Sequence, residues 1–290
     1  FRKAYTKVSD IGHGYVMDDY IMEKMLENNK EKKILFFDID GTLVSKEKGT
    51  YSCAIKEALT ALRKKGFLLF VATGRAPVEL QITNIINGLS FDAIISLNGQ
   101  FCYNNYGTIY INTLNKEDVR RVIEQIRSMP YACAFIEKDY MYVNRLDQQV
   151  MVAQAAINTP PPPVENIDRA LENDVLMIMP YLNTQQIEQY TKKVLKHSKI
   201  TRWNEFACDV VPFNSGKILG IQKVLDYYQL EWSEIMAFGD AENDMEMVQR
   251  AKIGVAMGNS ESCVKDVADY ITDDVDQDGI VSALQYYDIL

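Results

Sequence analysis

"ILFFDIDGT" (34–42) carries four apolar residues straight into two carboxylates, Asp38 and Asp40, one residue apart. An unbroken apolar run of this length, closed by a Gly-Thr turn signal, reads as a buried strand with acidic side chains at its end. The same grammar returns along the chain. "FLLFVA" (67–72) ends in "TGR", "AIISL" (93–97) in "NGQ", "IMAF" (235–238) in "GDAEND" and "IGVAM" (253–257) in "GNS". Helical patterns lie between several of these runs: Ile55, Leu59 and Leu62 share a face over 53–65, as do Ile218, Ile221 and Leu225 over 217–228. Strands alternating with helices predict an α/β fold built on a doubly wound parallel sheet. Such sheets bind ligands outside the carboxyl ends of their strands, so the polar residues just named are expected to meet in one crevice.

Between residues 113 and 211 the rhythm changes. A helix over 115–128, strands at 132–137 and 140–144, a helix over 147–157, a strand at 175–180, a helix over 184–196 and strands at 199–203 and 207–211 are expected. That order predicts a separate α+β domain inserted into the first. "PPPP" (160–163) within it reads as a stiff extended loop. The expected organisation is an N-terminal extension over 1–32, a core made of 33–112 and 212–290, and an inserted domain over 113–211. In the extension, Ile21, Met22, Met25 and Leu26 form a short helical stripe, to which no function attaches.

Composition narrows the chemistry. The chain has 290 residues, is 47% hydrophobic and 24% charged, and carries 31 Lys plus Arg against 40 Asp plus Glu, a net charge of −9. No basic cluster offers a footprint for nucleic acid. An anionic substrate is repelled by the overall field and needs local cations or a metal. Five scattered cysteines without C-x-x-C spacing suggest neither disulfides nor zinc, and a reducing cytoplasm fits. No apolar run approaches the roughly 20 residues that span a bilayer. The chain opens on Phe1, as a trimmed terminus would, which leaves a lost targeting segment open. With only His13 and His197 present, neither in a motif, carboxylates must carry any acid–base chemistry.

On an extended backbone Asp38 and Asp40 fall on one side, close enough to raise each other's pKa unless a cation intervenes. The pair therefore predicts a metal. Asp240 and Asp244, one helical turn apart in "GDAENDMEM", end a later strand. An all-oxygen set of this kind suits Mg²⁺. Beside a divalent ion one aspartate can attack phosphorus, and Asp38 is the candidate nucleophile. Asp40 is then the acid that protonates the leaving alkoxide and the base that activates water. Phosphoryl transfer also needs donors on the equatorial oxygens, for which Thr73 and Gly74, the backbone N–H groups at Gly41 and Thr42, Asn98, and Lys217 are the candidates. Asn243 either binds metal water or caps a helix, Asn259 either touches phosphate or metal water or forms a turn, and Arg75 either acts in the site or makes a structural salt bridge.

"DIDGT", "ATGR", Lys217 in "NSGK" and "GDAEND" resemble, in order, the four motifs of the haloacid dehalogenase superfamily of aspartate-nucleophile phosphatases. "FFDIDGTL", "LNGQ", "GDAENDMEM", "IGVAMGNS" and "ADYITDDVDQDGI" are similar to its Cof-type sugar-phosphatase branch. The resemblance covers residues 33–290 and implies a Rossmann-like core with a type-II cap. It implies Asp38 as nucleophile and metal ligand, Asp40 as acid/base and main-chain carbonyl ligand, Thr73 and Lys217 on phosphate, and Asp240 with Asp244 at Mg²⁺. The expected substrate is a small phosphorylated metabolite such as a sugar phosphate. A phosphomutase or phosphotransferase would share this core, and a non-catalytic phosphate-sensing module could use its Asp, Thr and Lys. In the cap, Arg145, Arg202, Trp203, Glu205 and Asp209 are candidate contacts to the leaving group. "DVDQDG" (274–279) opens like a calcium loop but has Gln285 where the bidentate Glu belongs, and reads as a solvated turn.

Overall fold

The computed structural model describes residues 8–10, 16–18 and 33–290. The helical stripe expected at Ile21–Leu26 and His13 lie outside the described residues. Strands β1 (Val8–Asp10) and β2 (Val16–Asp18) pair antiparallel.

The next five strands are β3 (Ile34–Phe37), β4 (Leu68–Ala72), β5 (Ala93–Ser96), β6 (Phe101–Asn104) and β7 (Gly107–Ile111). β8 (Cys133–Ile136), β9 (Met141–Val143), β10 (Met177–Pro180), β11 (Ser198–Asn204) and β12 (Ala207–Pro212) follow, then β13 (Ile235–Gly239), β14 (Ile253–Ala256) and β15 (Tyr270–Ile271). Eight of them form one sheet in the order β15-β14-β13-β3-β4-β5-β6-β7, parallel from β15 to β5. Alternation within β3 explains its unbroken apolar run. Leu35 and Phe37 pack with Ile55, Leu59 and Leu62 of the helix Cys53–Lys64, whereas Ile34 and Phe36 pack with Ile221, Val224 and Leu225 of the helix Lys217–Tyr228. Both faces are covered, as a doubly wound sheet requires.

The sheet is not purely parallel. β6 and β7 form an antiparallel hairpin on its edge, which periodicity alone does not separate from the loop after "NGQ". Asn104 closes the turn by accepting from the Tyr106 and Gly107 amides.

β8 to β12 form a second, wholly antiparallel sheet in the order β11-β12-β10-β8-β9. Its two faces differ by strict alternation. Cys133, Phe135, Ile178, Cys208 and Val210 pack with the helix Lys116–Ser128, whereas Ala134, Ile136, Met177, Met179, Ala207 and Val211 join Phe101 of β6 and Ala76 and Leu97, which lie between strands of the larger sheet. The helix expected over 184–196 is two short ones, Thr184–Gln189 and Thr191–Val194, broken at Tyr190, whose side chain packs on the underlying core. Pro160–Pro163 is extended, and Pro163 O accepts from Val143 N. Among the described residues no helix is long and apolar enough to cross a membrane. All five cysteines are free.

Candidate active site

Three carboxylates converge at the ends of β3 and β13. Asp38, Asp240 and Asp244 are buried, and one ligand oxygen from each lies within 4.8 Å of the others. Two backbone features bring them there. After β3 the chain turns at once: Gly41 has φ +91°, its amide donates to Val44 O at 2.8 Å, and a Cβ at this position would collide with Asp240 Oδ2. After β13 the Asp240 and Ala241 amides both donate to Asp244 Oδ2, at 3.1 and 3.2 Å, which folds the second acidic motif onto itself.

Two cations offset part of the cluster's charge. Lys217, at the start of its helix and fully buried, donates from Nζ to Asp38 Oδ1 at 2.8 Å and to Asp244 Oδ1 at 2.5 Å. It reaches this depth because Gly99 lies against Gly216, where any side chain at residue 99 would strike the Gly216 carbonyl. Lys46 donates to Asp240 Oδ2 at 2.7 Å, and the Thr42 hydroxyl to Oδ1 at 3.0 Å. Burial, then Asp244, pushes the Asp38 carboxyl well above the ordinary range against the pull of Lys217. Burial also raises Asp240 against the pull of Lys46. Burial works against charge on Lys217, but Asp244 and Asp38 outweigh it and hold the ammonium firmly protonated. Three buried hard oxygens that carry excess negative charge are a fitting donor set for a divalent cation such as Mg²⁺.

Asp40 adds, as expected, to the charges that raise Asp38, and its own carboxylate is met by a cation. Arg75 grips its carboxylate with two bonds, Nε to Oδ2 at 2.7 Å and Nη2 to Oδ1 at 2.8 Å, and Asp40 is the weakest of the carboxylates acting on Asp38. The same guanidinium reaches Ile157 O at 3.2 Å and Thr159 Oγ1 at 3.4 Å, beyond the helix Gln148–Ala156, and so ties the inserted segment to the acidic loop. Arg75 takes the salt bridge weighed for it, with Asp40 as the partner, whereas Lys46 was not legible in the sequence, since no periodicity links residue 46 to 240.

The other expected phosphate donors divide. Thr73 is buried, lines the same cleft as Asp38, and its Oγ1 accepts from the Arg75 amide at 3.1 Å. Gly74 and Asn98 line it too, with Asn98 Oδ1 accepting from Asn243 Nδ2 at 3.0 Å. The Gly41 and Thr42 amides, expected to face phosphate, are instead spent inside the turn, on Val44 O and Ile39 O. Asn259 clamps that turn by donating to Gly41 O at 2.8 Å.

The cleft holds about 550 Å³ between the acidic loops and the second sheet. Of the five residues singled out in the insertion, Trp203 and Asp209 line it, and Trp203 Nε1 donates to Asp209 Oδ1 at 2.9 Å. Burial lifts the Asp209 carboxyl to about 7, against the Trp203 bond. Arg145, Arg202 and Glu205 lie outside that lining. Arg145 is half-exposed near Asp147, and Arg202 holds the carbonyls of Leu182, Asn204 and Glu205. Met177 and Met179 also line the cleft. Their i, i+2 spacing in β10 was the signal that could have placed them beside Asp209.

A family model described as haloacid dehalogenase-like hydrolase matches residues 35–284. YkrA of Bacillus subtilis, whose name carries the word phosphatase and no substrate, is 29% identical over 262 residues, spanning 90% of this chain and 99% of its own. The solved structure of the phosphatase BT1666 from Bacteroides thetaiotaomicron superposes with a TM-score of 0.78 at 33% identity, covering 89% of this chain and 96% of that one. The structure of the sugar phosphatase BT4131, described as subclass IIB, gives 0.75 at 30% identity, covering 89% and 100%.

Proposed function

The chain belongs to the haloacid dehalogenase-like hydrolase family, among its phosphatases, and from that premise we propose that it is a Mg²⁺-dependent phosphomonoesterase working through an aspartyl-phosphate on Asp38. The non-catalytic sensing reading falls away with that membership. The observation that carries the proposal is the bridge from Lys217 to both Asp38 and Asp244, because it fixes a carboxylate in the lining of the cleft beside two others that share its charge.

Asp38, Asp240 and Asp244, with the Asp40 main-chain carbonyl, would hold Mg²⁺. When bound, the ion offsets repulsion between the Asp38 carboxylate and the phosphate and neutralises charge on the transferring group. The remaining steps belong to side chains. Lys217 fixes the plane of the Asp38 carboxylate through Oδ1. An Asp38 oxygen bonds to phosphorus as the ester P–O bond breaks, and Asp40 gives its proton to the departing alkoxide. Water then attacks phosphorus, the bond to Asp38 breaks, and Asp40 takes the proton back. Thr73, Gly74 and Asn98 line the place where the phosphate oxygens would sit. The second sheet closes the far side of the cleft and serves as the cap that selects the leaving group. Small phosphorylated metabolites fit a cleft of this size, and the likeness to BT4131 puts sugar phosphates among the candidates.

Hydrolysis of p-nitrophenyl phosphate by Asp38→Asn tests the assignment. Activity should vanish while the melting temperature holds; turnover within tenfold of the parent would exclude Asp38 as nucleophile.

A further inference from the structure

We infer that the leaving group this site selects ends in a flat, largely apolar ring bearing an N–H donor, not in a polyol, with Asp209 as the acceptor for that donor. The inference rests on the phosphatase reading and sharpens it.

The reasoning starts from the face of the second sheet that looks into the cleft. Strand alternation sends Met177 and Met179 of β10 and Asp209 of β12 to this side, since Ile178 pairs with Val210 on the other. Ala134, Ile136 and Val211 complete the face, and Trp203 lies over it. Asp209 is thus a single carboxylate in an apolar wall, only 7% exposed. Its one side-chain partner among the described residues is Trp203, on Oδ1. A buried carboxylate with an oxygen to spare is costly, and a folded chain gains nothing from it unless something arrives to use it.

A polyol is a poor occupant of such a wall. It brings a donor and an acceptor on almost every carbon, and among the side chains this sheet face sends into the cleft only Asp209 and Trp203 have polar atoms to meet them. A planar ring is the better match. Trp203 offers a face and an edge to stack on, Met177 and Met179 offer polarisable sulfur contacts, and Ile157 closes the side. An N–H on the ring edge then meets Asp209 Oδ2. Glu79, also buried in the lining, is already occupied, its Oε2 accepting from the Ala76 amide at 2.7 Å, which leaves Asp209 as the acceptor.

Benzyl phosphate, 3-aminobenzyl phosphate and glucose 6-phosphate are all esters of a primary alcohol, so their leaving-group chemistry is alike. Phosphate release from each is measured with Mg²⁺, for the parent chain and for Asp209→Asn, which puts an NH₂ where the free oxygen stood. For the parent, kcat/KM should be about tenfold higher for 3-aminobenzyl than for benzyl phosphate, and benzyl should exceed glucose 6-phosphate by at least as much. Asp209→Asn should erase the first gap, and an unfolding transition as cooperative as the parent's shows that the variant folds. Glucose 6-phosphate turned over as well as the benzyl esters, or an amino preference that survives Asp209→Asn, overturns the inference and leaves the phosphatase reading standing. Hydrolysis of p-nitrophenyl phosphate with none of the three accepted does the same. No hydrolysis of any ester, p-nitrophenyl phosphate included, overturns both.

Discussion

Lys217 Nζ lies 2.8 Å from Asp38 Oδ1, with both side chains buried, so the proposed nucleophile has a cation permanently on one oxygen. The same ammonium holds Asp244 at 2.5 Å. Replacing it with Met leaves two buried carboxylates facing each other. Lys217→Met is expected to lower kcat on p-nitrophenyl phosphate by roughly 10²- to 10³-fold. It should also lower stability by about 3 kcal/mol in the absence of metal. Steady-state kinetics and thermal unfolding read the two effects, and a kcat within twofold of the parent would contradict the role.

The bidentate grip of Arg75 on Asp40 joins the acid/base to the segment following Gln148–Ala156. Lysine keeps the charge but not the two-pronged geometry. Arg75→Lys should therefore reduce kcat/KM by about 10- to 100-fold, mostly through kcat, since a small misplacement of a reacting group is costly. A pure rise in KM would show that Arg75 binds substrate instead of orienting Asp40.

Much of this site is legible in the amino-acid sequence, and the reason is physical. Asp38, Asp240, Asp244 and Lys217 stand directly at strand ends or a helix start, where apolar runs stop abruptly, and a parallel sheet forces those ends together. The strands of the insertion are legible for the same reason, with β8 to β12 found within two residues of their expected limits. What escapes are features set by tertiary contact. The helix Pro77–Thr83 is too short for a periodic signal. The Gly41 and Thr42 amides are spent on the turn that the glycine itself makes possible. Arg145, Arg202 and Glu205 carry charge into a domain whose charges mostly face water, and nothing in their spacing tells them from Asp209, which faces the cleft.

Mg²⁺ should bind the folded chain and leave the unfolded one alone, so it should raise stability by about 2.7 kcal/mol at a concentration a hundred times its Kd. Asp240→Asn removes one of the three clustered carboxylates and should abolish most of that gain. Thermal melts across a Mg²⁺ titration measure it. A shift of equal size in parent and variant would place the cation elsewhere.

Asp209 makes a pH prediction. Its folded carboxyl is raised to about 7 from 3.8 by burial, so its favourable contribution is complete below the unfolded value and disappears as pH climbs through about 7. Across that window the parent should lose up to roughly 4 kcal/mol attributable to this group. Asp209→Asn should flatten the slope between those limits and be the more stable protein at pH 8. Urea melts at a series of pH values would show it, and parallel curves for the two proteins would contradict it.

The covalent step on Asp38 is tested most directly by stopping the reaction in acid within milliseconds and reducing the trapped protein with borohydride, which converts an aspartyl-phosphate to homoserine. Mass spectrometry of the peptide spanning 34–42 should then show that conversion at residue 38 only, and only when substrate and Mg²⁺ are both present. An unmodified Asp38 during active turnover, or the change at another carboxylate, would contradict the account.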